Sequence, residues 1–295
     1  MKNPEFIISI GVRFGEVFSG GVLVLHKLAY EIASRGYKVT IFTEPEYPHE
    51  NIIVQLESDE NNLNFDFDRE YTVIVPTHNW KNTIGIKNVA RWALYHINSE
   101  EMSNVEDTDV VFNYGSFNIG KENINKSLTV FDYHEDIFFD QKKERKKKYC
   151  YITNKNHPSN WKEIFETKYG ADNLTNWKTI GYKYLADKLN DYEYLLTYDN
   201  KSFYTLASTM CGTKVILLGQ NNESNLKYKL NTPYNLFGVA CGFEEIEWAE
   251  KTVGLVPQLL SELKKSDEKT VNDFIKYWEE KIIENEKDSI SVHIL

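Results

Sequence analysis

The chain alternates short apolar runs with segments of helical period, and it does so in two separate stretches. Phe6 to Val12 (FIISIGV) is an apolar run of strand length. After Ser19-Gly20-Gly21, read as a turn, Val22, Leu25, Leu28, Ala29 and Ile32 recur on one helix face, and Gly36 ends the helix. Val39 to Thr43 is the next strand. A strand, a Gly-rich loop, a helix and a strand in that order open a doubly wound parallel sheet. More strands are predicted over Asn51 to Leu56, Thr72 to Val75, Val89 to Ile97, Val110 to Tyr114 and Leu128 to Tyr133.

A basic run, Lys142 to Lys148, interrupts the pattern, which then restarts. Strands are predicted over Lys148 to Thr153, Trp177 to Ile180, Tyr192 to Tyr198 and Thr213 to Leu218. Helices are predicted over Pro158 to Tyr169, Tyr184 to Leu189 and Ser202 to Met210. From Glu244 onward the chain reads as helix, interrupted at Pro257 and at Ser266-Asp267. The organisation expected is an N-terminal α/β domain over 1–140 and a C-terminal one over 141–295, whose last helix can pack back on the first domain. Ligands of such open sheets bind outside the carboxyl ends of the strands.

Composition narrows the function classes. In 295 residues, 41% hydrophobic and 14% aromatic content supports a real core. A net charge of -10 argues against a nucleic-acid binder. The Lys142 to Lys148 run is read as a solvated linker or helix face, with peripheral membrane contact as the sharper alternative. Cys150, Cys211 and Cys241 form no CxxC pair, so they are expected to be small core residues of a protein from a reducing compartment. No signal peptide or apolar run of membrane-spanning length is seen, and a cytoplasmic location is expected.

The chemistry concentrates at YDNKSFYTLASTMCGTKVILLG, residues 198 to 219. Tyr198-Asp199 ends a strand, so the loop it opens faces the ligand side of the sheet. Ser202 sits where a helix N-cap belongs. Free N–H groups and the dipole at a helix amino end hold phosphate. Asp199 would repel a phosphate but suits neighbouring hydroxyls, such as those of a sugar. The alternative is a capped helix with a solvated Asp199.

These residues resemble the donor-binding segment of two-domain glycosyltransferases of the GT-B type. In the large retaining group of that class, a Glu-x7-Glu segment runs into a Cys-Gly turn and a Val/Ile strand. Here Asp199 matches the first acid, and Cys211-Gly212-Thr213-Lys214-Val215-Ile216 matches the turn and strand. The second acid would fall on Ala207 and is missing. Small bacterial and viral GT-B enzymes, which carry Tyr-Asp-x-x-Thr/Ser, an Ala-rich helix and a Cys-Gly turn, are more similar, and Ser202 matches their Thr/Ser. Phe18 to Leu28 resembles the Gly-Gly loop and first helix of GT-B N-domains. Lys148 to Lys155 resembles the first C-domain strand, whose basic end meets the donor diphosphate. Phe237 to Gly242 with Trp248 to Thr252 resembles the region after the donor site. The likeness is patchy between residues 45 and 145.

The resemblance implies two Rossmann-like domains facing a central cleft. It also implies transfer of a sugar from a nucleotide-diphosphate sugar to a hydroxyl of a glycan or lipid-linked acceptor, with neither cofactor nor metal. The donor side would be held by Gly20, Gly21, Asn154, Lys155, Gly181, Tyr198, Asp199, Ser202 and Thr205. Candidate catalytic residues are His78, Asp199 and Glu16, the last as base of an inverting enzyme. The missing second acid leans toward inversion. His78 follows a predicted strand and could be a base or an acceptor contact. His26 is read as a helix-surface residue, and His134 follows a predicted strand near the domain junction. Asp66/Asp68 and Asp107/Asp109 precede strands and are read as solvated turns rather than metal ligands. Two other functions stay open: a non-catalytic nucleotide-sugar or glycan binder with a degenerate site, and a two-domain sugar-nucleotide epimerase.

Overall fold

The computed structural model describes residues 3–10, 20–41, 52–54, 68, 70–76, 85–94, 105–115, 126–153, 157–199, 202–219 and 235–292. It is an α/β fold of parallel sheets and divides into two compact units. The first is residues 1–132 with 265–295, the second 133–264.

In the first unit, β1 (Glu5–Ile8) leads to α1 (Gly20–Ser34) and β2 (Val39–Ile41). The remaining strands are β3 (Ile52–Val54), β4 (Thr72–Val75), β5 (Asn88–Ala93), β6 (Val110–Asn113) and β7 (Lys126–Ser127). Among the described residues the sheet order is β3-β2-β1-β4-β5-β6-β7, every neighbouring pair parallel. The chain starts in the middle, winds one way to β3, then returns beside β1. β1 and β4 therefore flank the point where the strand order reverses. Gly20-Gly21 is not a turn but the first turn of α1.

This core is completed by the far end of the sequence. Phe274, Trp278 and Ile282 are buried among Phe6, Ile8, Leu28, Ile32 and Phe112. The Phe112 and Phe274 rings meet edge-on at 4.8 Å, and the Tyr37 hydroxyl donates to Glu279 at 2.6 Å. Burial and that carboxylate push the Tyr37 hydroxyl up to about 12. Thr270 also corrects the sequence reading of Leu128 to Tyr133, which is not a strand. The Thr270 hydroxyl lies 2.7 Å from the Thr129 carbonyl and accepts from its N–H at 3.0 Å, in place of a neighbouring strand. His26, expected on the helix surface, is buried. Asp109, expected in a solvated turn, is buried too and accepts from Arg91 Nε at 2.7 Å. Asp68 does sit in a turn, where its side chain accepts from the Glu70 N–H at 3.1 Å, and Asp107 is exposed in another. Asp66 lies outside the described residues.

In the second unit, β8 (Lys147–Tyr151) is followed by a π-helical stretch (Glu163–Lys168), β9 (Asp172–Asn173) and a 3-10 turn (Thr175–Thr179). Then come α2 (Tyr182–Leu189), β10 (Tyr192–Thr197), α3 (Phe203–Met210), β11 (Lys214–Leu217) and β12 (Val239–Cys241). α4 (Ile246–Thr252) follows, and α5 (Val256–Val292) begins in this unit and belongs to the first from residue 265 onward. The strand order is β12-β11-β10-β8-β9, again all parallel among the described residues. Here β8 and β10 flank the reversal. Trp177 to Ile180, expected as a strand, is the end of the 3-10 turn and its cap. Trp177 there stacks on Tyr182, with centroids 5.2 Å apart. Predicted helix 158–169 is largely the π-helical stretch. Pro257 and Ser266-Asp267 do not break the last helix. Pro257 lies in its first turn, where a missing N–H costs nothing.

The basic run belongs to the amino edge of this sheet. Arg145 plugs it: one guanidinium nitrogen donates to the Tyr192 carbonyl at 2.8 Å and to Thr213 Oγ1 at 2.9 Å, the other to the Cys211 carbonyl at 2.7 Å. Gly212, at φ 75, makes room, because a Cβ there would lie 2.6 Å from that second nitrogen. Lys142, Lys143 and Lys147 pair with Asp140, Asp191 and Asp172 at 2.6 to 2.8 Å. The run is therefore more than a solvated linker. Much of its charge is matched locally, at the edge opposite the one where ligands of such sheets bind.

Candidate active site

β8 and β10 are paired in register, Leu196 beside Tyr151. The loops leaving their carboxyl ends thus start side by side at the reversal. Ile152 and Thr153 extend β8, and Thr197 Oγ1 donates across to the Ile152 carbonyl at 3.3 Å. The same hydroxyl accepts from the Asp199 N–H at 3.0 Å, so one threonine fixes the start of both loops.

Asp199 is buried, as are Ser202 and Thr205; Tyr198 is half-buried. Ser202 has extended backbone angles and its Oγ accepts from the Tyr204 N–H at 3.2 Å, the N-cap that its position predicts. The Tyr204 ring lies edge-on to Trp177, with centroids 5.4 Å apart. Burial first, and the Asp199 charge second, raise its hydroxyl to about 12. Thr205 is fully buried, its hydroxyl within 2.8 Å of the Ser202 carbonyl and 2.6 Å of Asn235 Oδ1. Tyr198 is wedged in place, its ring 5.6 Å from Phe165, which in turn stacks on Tyr151 at 4.6 Å. Burial raises the Tyr198 hydroxyl as well.

A second helix begins beside α3. Gly181 caps α2 at φ 110, with no side-chain bond and nothing within 4 Å of where a Cβ would stand. The leading residues of the two helices, Tyr182 and Phe203, have ring centroids 5.8 Å apart, and Phe138 packs on both, at 5.5 and 5.3 Å. The His134 ring lies 5.0 Å from Tyr182. Its backbone is left-handed at φ 48, held by a carbonyl that accepts from the Ile137 and Phe138 N–H groups. Two helix amino ends thus approach one another on the carboxyl side of the sheet, which favours an anion there. Lys183, in the first turn of α2, is exposed and pairs with Asp187 at 3.8 Å, one turn further along the helix.

The structure therefore brings Gly181, Tyr198, Asp199, Ser202 and Thr205 together in the second unit. Gly20 and Gly21 lie in the first unit, where nothing stands within 4 Å of a Cβ on Gly20. Glu16, His78, Asn154 and Lys155 lie outside the described residues. By position, Glu16 follows β1 and His78 follows β4, the two strands at the reversal of the first sheet. Asn154 and Lys155 follow β8, at the reversal of the second. Sequence reasoning missed Asn235 and Tyr204. Asn235 has no local signal. Tyr204 carries one, a polar-tipped ring one turn past an acid. Among the described residues no group of three or more His, Cys, Asp or Glu could hold a metal ion. No described helix is long and apolar enough to cross a membrane.

No protein-family model matches the sequence, and no curated protein matches it either. Among solved structures, the chain is similar to AviGT4, a glycosyltransferase involved in avilamycin A biosynthesis. The TM-score is 0.52 at 11% identity, over 95% of this chain and 98% of that one. At that identity the likeness is one of fold. A dipicolinate synthase chain from Bacillus halodurans aligns over 88% of this chain and 98% of its own length, at 11% identity and a TM-score of only 0.23.

Proposed function

We propose that the chain is a glycosyltransferase of the GT-B type that moves a sugar from a nucleotide-diphosphate sugar to a hydroxyl of a glycan or lipid-linked acceptor without a metal ion. One observation carries the reading. Tyr198, Asp199 and Ser202 leave β10 at the strand reversal of the second sheet, and the amino ends of α2 and α3 begin beside them. The diphosphate rests on the α3 amides, with Lys155 neutralising its charge as the sugar leaves. That electrostatic role replaces a metal. Asp199 orients hydroxyls of the donor sugar or ribose, and Thr205 acts behind the site. The first unit's loops after β1 and β4 bind the acceptor. Glu16 or His78 takes the proton from its hydroxyl as the oxygen attacks the anomeric carbon. The fold likeness to a glycosyltransferase over nearly the whole of both chains supports this reading.

A second reading, a nucleotide-sugar binder without turnover, draws on Ala207. The position of the missing second acid is an alanine fully buried on α3. Thermal shifts against a panel of nucleoside diphosphates, followed by transfer assays with the matching nucleotide-sugars, separate the two. A shift with sugar transfer supports the transferase. A shift without transfer to any acceptor supports the binder. Epimerised donor identifies an epimerase, and no shift at all refutes the nucleotide reading.

A further inference from the structure

One face of the second sheet carries tyrosines with lysines over them. Parallel register sets Tyr149 of β8 beside Tyr194 of β10, and Tyr194 beside Lys214 of β11, so the three form a row on that face. The Tyr149 and Tyr194 ring centroids are 5.7 Å apart. The Tyr169 and Phe243 rings stack on each other at 5.0 Å and extend the row, 6.3 and 6.4 Å from Tyr149. Tyr149, Tyr169 and Phe243 are half-buried, and Tyr194 is buried. The ammonium groups of Lys148, Lys168 and Lys214 stand 5.2, 4.9 and 4.7 Å from the ring centroids of Tyr149, Tyr169 and Tyr194. Lys142, Lys143 and Lys147 are paired with carboxylates. Among the described residues no carboxylate forms an ion pair with Lys148, Lys168 or Lys214. Glu250 instead accepts from the Tyr194 hydroxyl and fixes that ring.

We propose that this aromatic row is a binding surface for an acidic glycan, separate from the candidate active site and independent of the diphosphate reading. Tyr149, Tyr194 and Lys214 lie toward the amino ends of their strands, whereas Asp199 and Ser202 follow a carboxyl end. A sugar ring packs its C–H groups on aromatic side chains, and its carboxylate, sulfate or phosphate substituents need cations within reach. Half-buried rings interleaved with unmatched lysines meet both needs, and a lysine over a ring keeps its charge for a further anion. Nucleic acid also offers rings and anions, but a chain of net charge -10 repels it overall. A bilayer is entered by apolar side chains that stand out from the surface. The described ones that do so, Phe139, Ile180, Trp248 and Leu255, are not members of the row.

Titration of the full chain with polygalacturonate, hyaluronan, heparin, neutral dextran and polyglutamate tests this. The proteins are wild type, the double variant Lys148→Gln/Lys168→Gln, Tyr169→Leu and a control of equal charge change, Lys269→Gln/Lys276→Gln, whose lysines pair along α5. Wild type should bind at least one of the acidic glycans, more weakly as salt rises, and should bind dextran and polyglutamate less well. The Lys148/Lys168 variant should lose about tenfold in affinity for that glycan. Tyr169→Leu should lose about fivefold for it and nothing for polyglutamate, which has no ring to stack. The control should match wild type. Melting curves establish that each variant is folded. If Tyr169→Leu does not fold, the lysine variant and the polyglutamate comparison decide. Three results overturn the proposal: no acidic glycan bound by wild type, polyglutamate bound as tightly as the best glycan, or an equal loss in the control. Wild type that sediments with phosphatidylglycerol vesicles and binds no glycan also overturns it, and assigns the surface to a membrane.

Discussion

Asp199 is a buried carboxylate at the edge of a sheet, and burying charge without partners is costly. Here Thr197 fixes its backbone, and its negative charge is felt by the Tyr204 hydroxyl. Such a residue is placed for orientation rather than solubility. Asp199→Asn should keep the fold and lower turnover by about 100-fold, a size typical for loss of one positioned catalytic group. Steady-state kinetics with the donor found by thermal shift measure it, and full activity would remove Asp199 from the site. His26 gives a prediction about stability. Burial holds its imidazole below the ordinary value. The unfolded chain then takes up a proton that the folded chain refuses, so stability is full above about pH 6.5 and falls as the pH drops below it. Between about pH 7.5 and pH 5.5 the melting temperature should fall less in His26→Gln than in wild type. An equal fall in both would show that His26 does not carry the acid loss.

At the scale of elements, Arg145 ties the amino edge of the second sheet to the ends of α2 and α3. Arg145→Ala leaves the Tyr192 and Cys211 carbonyls and the Thr213 hydroxyl short of a donor. It should cost on the order of 3 kcal/mol in denaturant unfolding. A loss under about 1 kcal/mol would mean that water replaces the guanidinium. Which elements the sequence reveals follows from similar local physics. β4, β10, α3 and β11 are legible to within a residue or two, because buried strands of a parallel sheet are continuous apolar runs and Ser202 marks a helix start. Trp177 to Ile180 misleads because so short a run satisfies a strand and a tight helical turn equally. Leu128 to Tyr133 misleads because pairing with β6 stops at Leu128, whose N–H donates to the Asn113 carbonyl, and Thr129 bonds instead to Thr270, 141 residues away. β9 and β12, of two and three residues, are too short to signal themselves. At the site, Asp199, Ser202 and Gly181 can be found because strand ends and caps are local. Asn235 cannot, because its contact with Thr205 is made only by the fold.

The whole molecule is two parallel-sheet units, and the last part of the chain completes the first one. Phe274 and Trp278 are almost fully buried in the core built by β1, α1 and β6. A chain ending at residue 264 should therefore lose the first unit while the second still melts cooperatively. Calorimetry should show one transition lost, and an unchanged profile would contradict the packing. Metal dependence is also a property of the whole reaction. On the proposal that lysine and helix amides rather than a metal neutralise the diphosphate, a chelator should leave transfer rates unchanged. A strict requirement for a divalent ion would return attention to Asp66 and Asp68. The central claim is tested most directly by a crystal structure of the protein with the nucleoside diphosphate that stabilises it most. The account predicts the diphosphate at the amino end of α3, between the carboxyl ends of β8 and β10, within hydrogen-bond distance of first-turn amides. A diphosphate bound elsewhere, with that helix end left uncontacted, would contradict it.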